Sequence, residues 1–307
     1  MLGLTVSYLR DVSAKDGCAT VMNSEHFFLT ARERERIRRK RLAGEPRPWT
    51  LDPIFNQYRF TNVHREHDKT TIWFRENIRE PLCANWREGV DADERVRLVE
   101  ATIIFRWFNL ISTGEIIKDL LTDDGWDTEE ARRRLKDKRP VVTGAFMVHS
   151  PIGYNKLDGL LAAIDWARPK LPAMVARWGL SQEEAHRDLR TLDNMGSFSA
   201  GEVIWDLRWT PILDKAHDIN TWVNAGPGCA RGLGYILDNN PAMYNYGSKY
   251  HQIEMLALMR QLLDASRLEE NWPHEWDPWE LHEVEMWLCE YAKYRSAMVG
   301  GQLKRRF

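Results

Sequence analysis

Apolar residues recur at intervals of three and four along almost the whole chain, and this spacing constrains the fold more than any other feature. Two stretches, 91–94 (DADE) and 181–184 (SQEE), have the form of a capping box, in which the first side chain caps a helix and the last reaches back. Pro278 is typical of the first turn of a final helix. Strand signals are weak and limited to residues 140–143 and 1–9. We therefore predict a mainly α fold of many helices with little or no sheet.

The composition excludes several classes of protein. The 43 Lys and Arg residues nearly balance 45 Asp and Glu residues, so the net charge of -2 excludes a uniformly basic protein that coats nucleic acid, but not a local basic surface. No apolar run approaches the roughly 20 residues of a membrane span. The first residues lack the basic start and apolar core of a signal peptide, which predicts a cytoplasmic protein. We predict an N-terminal segment over 1–50 that carries a basic helix, and a helical catalytic and DNA-binding domain over 51–307 with room for two lobes.

No metal site is predicted. The four cysteines form no CxxC pair, which excludes a zinc ribbon and a disulfide framework and leaves buried thiols as the interpretation. His64 and His67 lie three positions apart, but the HExxH signature is absent. We predict no cofactor, and assistance by a divalent metal stays open without support. The 14 tryptophans predict anchors of the core, with base stacking as the alternative.

The strongest charged run, residues 33–41 (ERERIRRKR), predicts a basic helix. Its functional interpretation is contact with DNA phosphates, because Arg and Lys release counterions from DNA. The alternative is an ordinary solvated helix face. The DNA contacts are assigned to four of its arginines: Arg34, Arg38, Arg39 and Arg41.

The segment 60–69 (FTNVHREHDK) holds an amide, cations and a carboxylate at helical spacing. On a helix, Asn62, Arg65 and Lys69 would share one face, with Asp68 beside them. An Arg–Lys pair suits phosphate or pyrophosphate, and Asp68 could orient the arginine or act as a base. The alternative is a surface helix with ordinary ion pairs.

The stretch LDNMGSFSA, between two helical stretches, resembles the helix–hairpin–helix of DNA glycosylases, in which a hairpin grips a DNA phosphate with backbone N–H groups. In this resemblance the phosphate contacts fall on Gly196, Ser197 and Ser199. The catalytic carboxylate of that family follows its hairpin, and here Asp214 and Asp218 follow Gly196 by 18 and 22 positions. The alternative is a glycine turn between two core helices.

The glycine-rich stretch 226–232 (GPGCARG) is a second candidate for phosphate binding, because the N–H groups at a helix start attract anions. Gly226 and Gly228 would present such groups, and Arg231 would add charge. The alternative is a tight turn between helices. The sequence has no GxxxxGK[ST], which excludes a Walker-type nucleotide site and a P-loop kinase.

Four segments together resemble one family: PWTLDP at 48–53, FTNVHREHDK at 60–69, GPGCARG at 226–232 and VEMWLCEYAKY at 284–294. They are similar to the helical domain associated with 5-hydroxymethyluracil DNA kinases. That domain also occurs alone in bacteriophages, as the α-glutamyl/putrescinyl thymine pyrophosphorylases or amino acid:DNA transferases. The F-T-N-x-x-R-x-x-D-K pattern is the specific part of the resemblance. Because the P-loop is absent, the resemblance favours the free-standing transferase over the kinase.

The resemblance implies a substrate and a reaction. The substrate is a thymine in DNA whose 5-methyl group carries a pyrophosphate, and the amine of an amino acid or polyamine displaces it. The base would be reached by flipping or in an opened strand. The implied partners are double-stranded or locally opened DNA, the amine co-substrate and a hydroxymethyluracil DNA kinase, in the cytoplasm of an infected bacterium.

The resemblance also implies roles for the candidate residues. Cations absorb the charge of the departing pyrophosphate, a carboxylate takes a proton from the amine, and an amide reads the edge of the uracil. The cations are Arg65, Lys69 and Arg231, the carboxylates are Asp68, Asp214 and Asp218, and the amide is Asn62. Two other functions stay open, which are glycosylase-like excision of a modified base and non-catalytic DNA binding beside a kinase.

Overall fold

The computed structural model describes residues 24–84, 86, 91–123, 125–144 and 150–303. Short 3₁₀ turns lie at Arg65–His67 and Arg168–Lys170, and a π-helical turn lies at Arg75–Arg79. The α-helices of the described residues are α1 (Glu25–Leu42), α2 (Pro53–Gln57), α3 (Lys69–Phe74), α4 (Glu80–Cys83), α5 (Ala92–Phe108), α6 (Ile111–Thr122), α7 (Thr128–Leu135), α8 (Lys156–Ala167), α9 (Leu171–Val175), α10 (Gln182–Leu189), α11 (Ser197–Leu207), α12 (Pro227–Asp238), α13 (Lys249–Ala265) and α14 (Leu281–Met298).

No β-strand occurs in the described part of the chain, so the prediction of a mainly α fold is confirmed. The weak strand signal at 140–143 does not correspond to a strand. The N–H of Thr143 donates to the carbonyl of Phe108 at 3.0 Å, and the hydroxyl of Thr113 donates to the carbonyl of Val141 at 2.8 Å. The segment therefore bonds to helical residues and not to a neighbouring strand. Residues 1–9, the other predicted strand, lie outside the described residues.

The predicted helix starts are confirmed where a short polar side chain caps the helix. Asp91 accepts from the N–H of Asp93 at 3.3 Å ahead of α5, and Ser181 accepts from the N–H of Glu184 at 3.2 Å ahead of α10. The last helix starts later than Pro278 predicts. Glu280 is its N-cap, and a capping box with Glu283 fixes the first turn.

The chain divides into two compact units. Unit 1 comprises Met1–His67 and Asn220–Phe307, and unit 2 comprises Asp68–Ile219. The predicted limit at residue 50 remains a prediction. Helix α1 lies N-terminal to that limit. It packs within unit 1 against α14, where the indole N–H of Trp287 donates to the carbonyl of Phe27 at 3.1 Å.

Unit 2 has its apolar core around α5. Every residue from Leu98 to Phe108 except the half-buried Glu100 is buried, and the stretch packs against α9 and α11. Trp107 is almost fully enclosed there, which agrees with the interpretation of tryptophans as core anchors.

Unit 1 is held together by close packing of α12 on α14. A Cβ atom placed on Gly232 would lie 2.3 Å from the carbonyl oxygen of Leu288, so only glycine lets the two helices approach this closely. Trp279 and Trp287 are fully buried in the same unit. Among the described residues of both units, no helix is both long and apolar enough to cross a membrane.

Candidate functional site

The segment 60–69 does not form the single helix predicted from its spacing. Residues 60–64 are irregular, Arg65–His67 is a 3₁₀ turn, and α3 starts only at Lys69. The reason is the Asn62 amide, whose Nδ2 donates to the carbonyl of His67 at 2.7 Å and whose Oδ1 accepts from Arg34. Short polar side chains that bond to nearby backbone offer the chain an alternative to a helix. The predicted common face is therefore wrong.

Arg34 fixes this segment from α1. Its Nη2 atom donates to Oδ1 of Asn62 at 2.6 Å, and Nε and Nη2 donate to the carbonyl of Phe60 at 3.4 and 3.3 Å. The arginine is only 6% exposed. This placement corrects its predicted role as a contact for DNA phosphate, because the guanidinium points into the protein. Both ends of the Asn62 amide are also engaged, which favours positioning of the segment over reading of a base.

The rest of the segment is bound to the C-terminal part of unit 1. His64 Nε2 lies 3.3 Å from the carbonyl of Pro278, and His67 Nε2 lies 3.2 Å from a carboxylate oxygen of Asp277. Burial lowers the pKa of His67. Arg65 lies between these histidines in the sequence and is buried. A cationic side chain is thus held in the interior on a segment of fixed conformation.

The other arginines of the basic helix differ in exposure. Arg38 is half-buried and donates to Glu35 through two nitrogens, at 2.8 and 2.6 Å. Arg39 and Arg41 are exposed, with their guanidinium groups 4.8 Å from the ring centre of Trp276 and 5.2 Å from that of Trp49. Contact with DNA phosphate remains a prediction for Arg38, Arg39 and Arg41.

Unit 2 holds the predicted hairpin. Helices α10 and α11 are joined by a turn in which Gly196 is the N-cap of α11 and Ser197 is its first residue. Gly196 is exposed, and Ser197 and Ser199 are half-buried. The ring of His186 bonds through Nε2 to the carbonyl of Ser197 at 3.0 Å, which fixes the turn. The helix–turn–helix order agrees with the sequence, and its use as a phosphate grip remains a prediction.

The two carboxylates that follow the hairpin have different surroundings. Asp218 is buried and accepts from the hydroxyl of Ser181 at 2.7 Å and from the N–H groups of Gln182 and Glu183 at 2.8 and 3.0 Å. These contacts place it at the N-terminus of α10, where a negative charge stabilises the helix. Asp214 is exposed. The contacts of Asp218 argue for a structural role, and the role of Asp214 as a base remains a prediction.

Asp68 and Lys69 begin unit 2. Asp68 is the half-buried residue ahead of α3, and Lys69 is the exposed first residue of that helix. Their roles as base and cation remain predictions.

Unit 2 contains a buried ion pair that the sequence patterns did not predict. Arg106 donates through Nε and Nη2 to both carboxylate oxygens of Asp206, and through Nη1 to Oδ1 of Asn109 at 2.9 Å. Its Nη2 also lies 3.2 Å from the hydroxyl of Thr71. Both charged residues are at most 2% exposed. No local sequence pattern indicates this pair, because its members lie 100 positions apart.

The glycine-rich stretch 226–232 begins α12, as predicted, but its contacts do not suit an anion. The N–H of Gly226 donates to a carboxylate oxygen of the buried Glu285 at 3.4 Å. A Cβ atom on Gly228 would lie 2.3 Å from the sulfur of Cys289, so this glycine permits helix packing. Because a carboxylate occupies the helix start, the structure argues against the phosphate role of Gly226 and Gly228. Arg231 is exposed on the same helix, and its role remains a prediction.

For the described residues, the structure shows the surroundings of the cysteines and the placement of possible metal ligands. Burial raises the pKa of Cys229, and it raises that of Cys289 to about 12 and that of Cys83 to about 11, so these thiols are poor nucleophiles. Within the described ranges, no group of three or more His, Cys, Asp or Glu side chains is placed to hold a metal ion.

The architecture is therefore a two-unit, mainly α protein whose most specific sequence segment is fixed by buried arginine contacts. The family model described as "5-hmdU DNA kinase, helical domain" matches residues 22–302, and the chain belongs to this family. No solved structure matches the chain.

A curated relative agrees with the family. The chain is 25% identical over 299 residues to the 5-hmdU DNA kinase of Bacillus phage SP10, and the match covers 87% of this chain and 44% of that protein. The chain thus spans less than half the length of this relative. The relative comes from a bacteriophage, and the match is consistent with modification of thymine in phage DNA.

Proposed function

We propose that this chain is a DNA base-modifying transferase. It displaces pyrophosphate from 5-(pyrophosphoryloxymethyl)uracil in DNA with the amine of an amino acid or polyamine. Membership of the family supports a role in thymine modification. The 307 residues contain no GxxxxGK[ST] motif, and we propose for them a step that follows phosphorylation. A hydroxymethyluracil DNA kinase would then act before it.

The observation that carries the proposal is the buried guanidinium group of Arg65. Arg65 is 6% exposed and lies on the segment that Arg34 fixes through its bonds to Phe60 and Asn62. Buried cations that are already oriented stabilise a developing negative charge better than cations in water do. A departing pyrophosphate develops such a charge.

The proposed step is a displacement at carbon. The lone pair of the neutral amine forms a bond to the 5-methylene carbon while the bond from that carbon to the pyrophosphate oxygen breaks. Pyrophosphate leaves with the electron pair, and a carboxylate takes one proton from the nitrogen. Asp68 and Asp214 are the proposed bases, since Asp218 is engaged at the start of α10. Lys69 is proposed as a further cation.

Release of pyrophosphate tests the proposal directly. DNA that bears the pyrophosphorylated base is incubated with the protein, with and without a mixture of amino acids and putrescine. We expect release that depends on the amine, and a loss of at least tenfold in the Arg65→Gln variant. The matched control is Arg267→Gln, which removes an exposed arginine of unit 1. Unchanged rates in Lys69→Ala and Asp214→Asn would remove those residues from the mechanism.

A second function is favoured by the contacts of the other candidates. Asp218, Gly226 and Gly228 are used within the fold, whereas Arg39 and Arg41 are exposed beside tryptophan rings. This arrangement suits a non-catalytic module that binds DNA beside a kinase. Salt-sensitive DNA binding without release of pyrophosphate would favour that function. Release of a free base would instead indicate a glycosylase.

A further inference from the structure

A cleft of about 590 Å³ lies in unit 1, lined by α1, residues 48–52, α2 and the end of α14. Sites for small molecules have volumes of roughly 300–1,000 Å³, so the cleft is large enough for a metabolite. We call it the α1 cleft and define it by six of its lining side chains, four of them charged and two bearing a hydroxyl group: Glu33, Arg36, Lys40, Thr50, Asp52 and Tyr294. The candidate residues of the sequence do not include any of the six.

Two carboxylates are held in place by buried hydroxyl groups. The hydroxyl of Thr50 donates to Oε1 of Glu33 at 2.5 Å, and the phenol of Tyr294 donates to Oδ2 of Asp52 at 2.6 Å. Thr50 and Tyr294 are buried, whereas both carboxylates are half-buried. Burial and the neighbouring Asp52 raise the pKa of Tyr294, which keeps the phenol protonated as a donor. The carboxylates are thus oriented before any ligand arrives.

The two cations of the cleft are on α1, one turn apart. The Arg36 side chain is 51% exposed and lies 3.6 Å from the carboxylate of Glu33. Lys40 is half-buried and donates to the carbonyl of Trp49 at 3.0 Å. Because an ion pair at such exposure is weak, Arg36 can turn to a ligand at little expense.

The balance of charge selects the kind of ligand. A phosphate would be attracted by Arg36 and Lys40 but repelled by Glu33 and Asp52. A diamine would suit the carboxylates, but one of its ammonium groups would face the cations. A short molecule with one ammonium and one carboxylate group suits both the two carboxylates and the two cations of the cleft. Its hydrogen bonds to them would be charge-assisted, and such bonds are stronger than those between neutral groups.

We propose that the α1 cleft binds a free α-amino acid, with its ammonium group toward Asp52 and Glu33 and its carboxylate toward Arg36 and Lys40. The assignment of this amino acid as the amine donor rests on the proposed function. The binding itself does not require DNA.

Calorimetric titration of the full chain, without DNA, tests the inference. The probes are each of the twenty common amino acids, putrescine and inorganic phosphate. For the amino acid that binds best, we expect affinity to fall about tenfold in Arg36→Gln and in Asp52→Asn, since each variant removes a charged partner. Asparagine is as good an N-cap as aspartate, so Asp52→Asn preserves the start of α2. The matched control, Arg267→Gln, removes an exposed arginine outside the cleft and should bind as the wild type does.

Three results would overturn the inference. They are no binding of any amino acid at millimolar concentration, binding of putrescine or phosphate in place of amino acids, and amino acid binding that both cleft variants leave unchanged. Arg36 is exposed, so Arg36→Gln decides the matter even if Asp52→Asn does not fold.

Pyrophosphate release measured on the same preparations separates this inference from the proposed function. Amino acid binding without release contradicts the transferase alone. Amine-dependent release that the cleft variants leave unchanged contradicts only the assignment of the bound amino acid as the amine donor.

Discussion

The buried ion pair of unit 2 and the α1 cleft of unit 1 are built from the same chemical groups. Each combines an arginine, a carboxylate and a threonine hydroxyl. Around Arg106 the donors meet protein acceptors, and the charged residues are at most 2% exposed. In the cleft the charges remain partly open to solvent. Burial and mutual satisfaction, rather than residue type, separate groups that hold the fold from groups that are available to a ligand.

The largest effect is expected where a buried charge loses its partner. In Asp206→Ala, Arg106 stays buried without its carboxylate, so the free energy of unfolding should fall by about 3–5 kcal/mol. Denaturant unfolding of the purified protein measures this change. Asp214→Ala, which removes an exposed carboxylate of the same unit, should change it by less than about 0.5 kcal/mol. Equal effects in the two variants would contradict the contrast between buried and open charges.

The next largest effect is a pH dependence of the unfolding free energy, and it arises from His186 at the hairpin. Burial lowers the pKa of His186 from 6.5 to about 4. Between these values the unfolded state binds a proton that the folded state does not. The contribution of neutral His186 to the free energy of unfolding is therefore fully present above pH 6.5. It falls as the pH drops toward 4, by up to about 3 kcal/mol.

The measurement is the difference between the wild type and His186→Gln in unfolding free energy across this pH range. Because glutamine does not titrate, the variant should lose this part of the slope and keep the part that other groups contribute. Identical slopes in the two proteins would show that His186 is not held neutral in the fold.

A smaller effect is expected at the start of α10. Asp218→Ala removes three hydrogen bonds at the helix N-terminus, so unfolding should be easier by about 1–3 kcal/mol. Thermal unfolding by circular dichroism measures it. A catalytic role predicts the opposite pattern, in which Asp218→Asn keeps the wild-type stability but abolishes release of pyrophosphate.

The smallest effect on stability is expected in the α1 cleft. Arg36→Gln should change the free energy of unfolding by less than about 0.5 kcal/mol, because the side chain is half exposed and its ion pair is long. The same denaturant unfolding measures it. A loss above 1 kcal/mol would mean that Arg36 holds the fold, and the cleft would then resemble the buried pair.

Local signals predicted the helices and their caps. Asp91 and Ser181 lie next to the N–H groups that they bind, so a few residues of sequence contain the whole interaction. The glycine-rich stretch also predicted the start of α12, at Gly226. A glycine at a helix start, however, is compatible both with phosphate binding and with close packing of a second helix. Only the closeness of Gly228 to Cys289 distinguishes these two roles.

The parts that the sequence could not predict depend on distant partners. Asn62 leaves the helical pattern because it bonds to Arg34, which is 28 positions away. Arg34 itself looks like the other cations of its run, and only its burial separates it from Arg39 and Arg41. The α1 cleft likewise joins residues 33–52 to Tyr294. No window of a few residues contains such an arrangement.

Mass spectrometry of nucleosides tests the central claim most directly. DNA that contains 5-(pyrophosphoryloxymethyl)uracil is incubated with the protein and a mixture of amino acids labelled with ¹⁵N, and is then digested. The account predicts a thymidine derivative in which a labelled amino acid is bound through nitrogen to the 5-methylene carbon. Recovery of only the unreacted pyrophosphorylated nucleoside, from protein that is folded and binds the DNA, would contradict it.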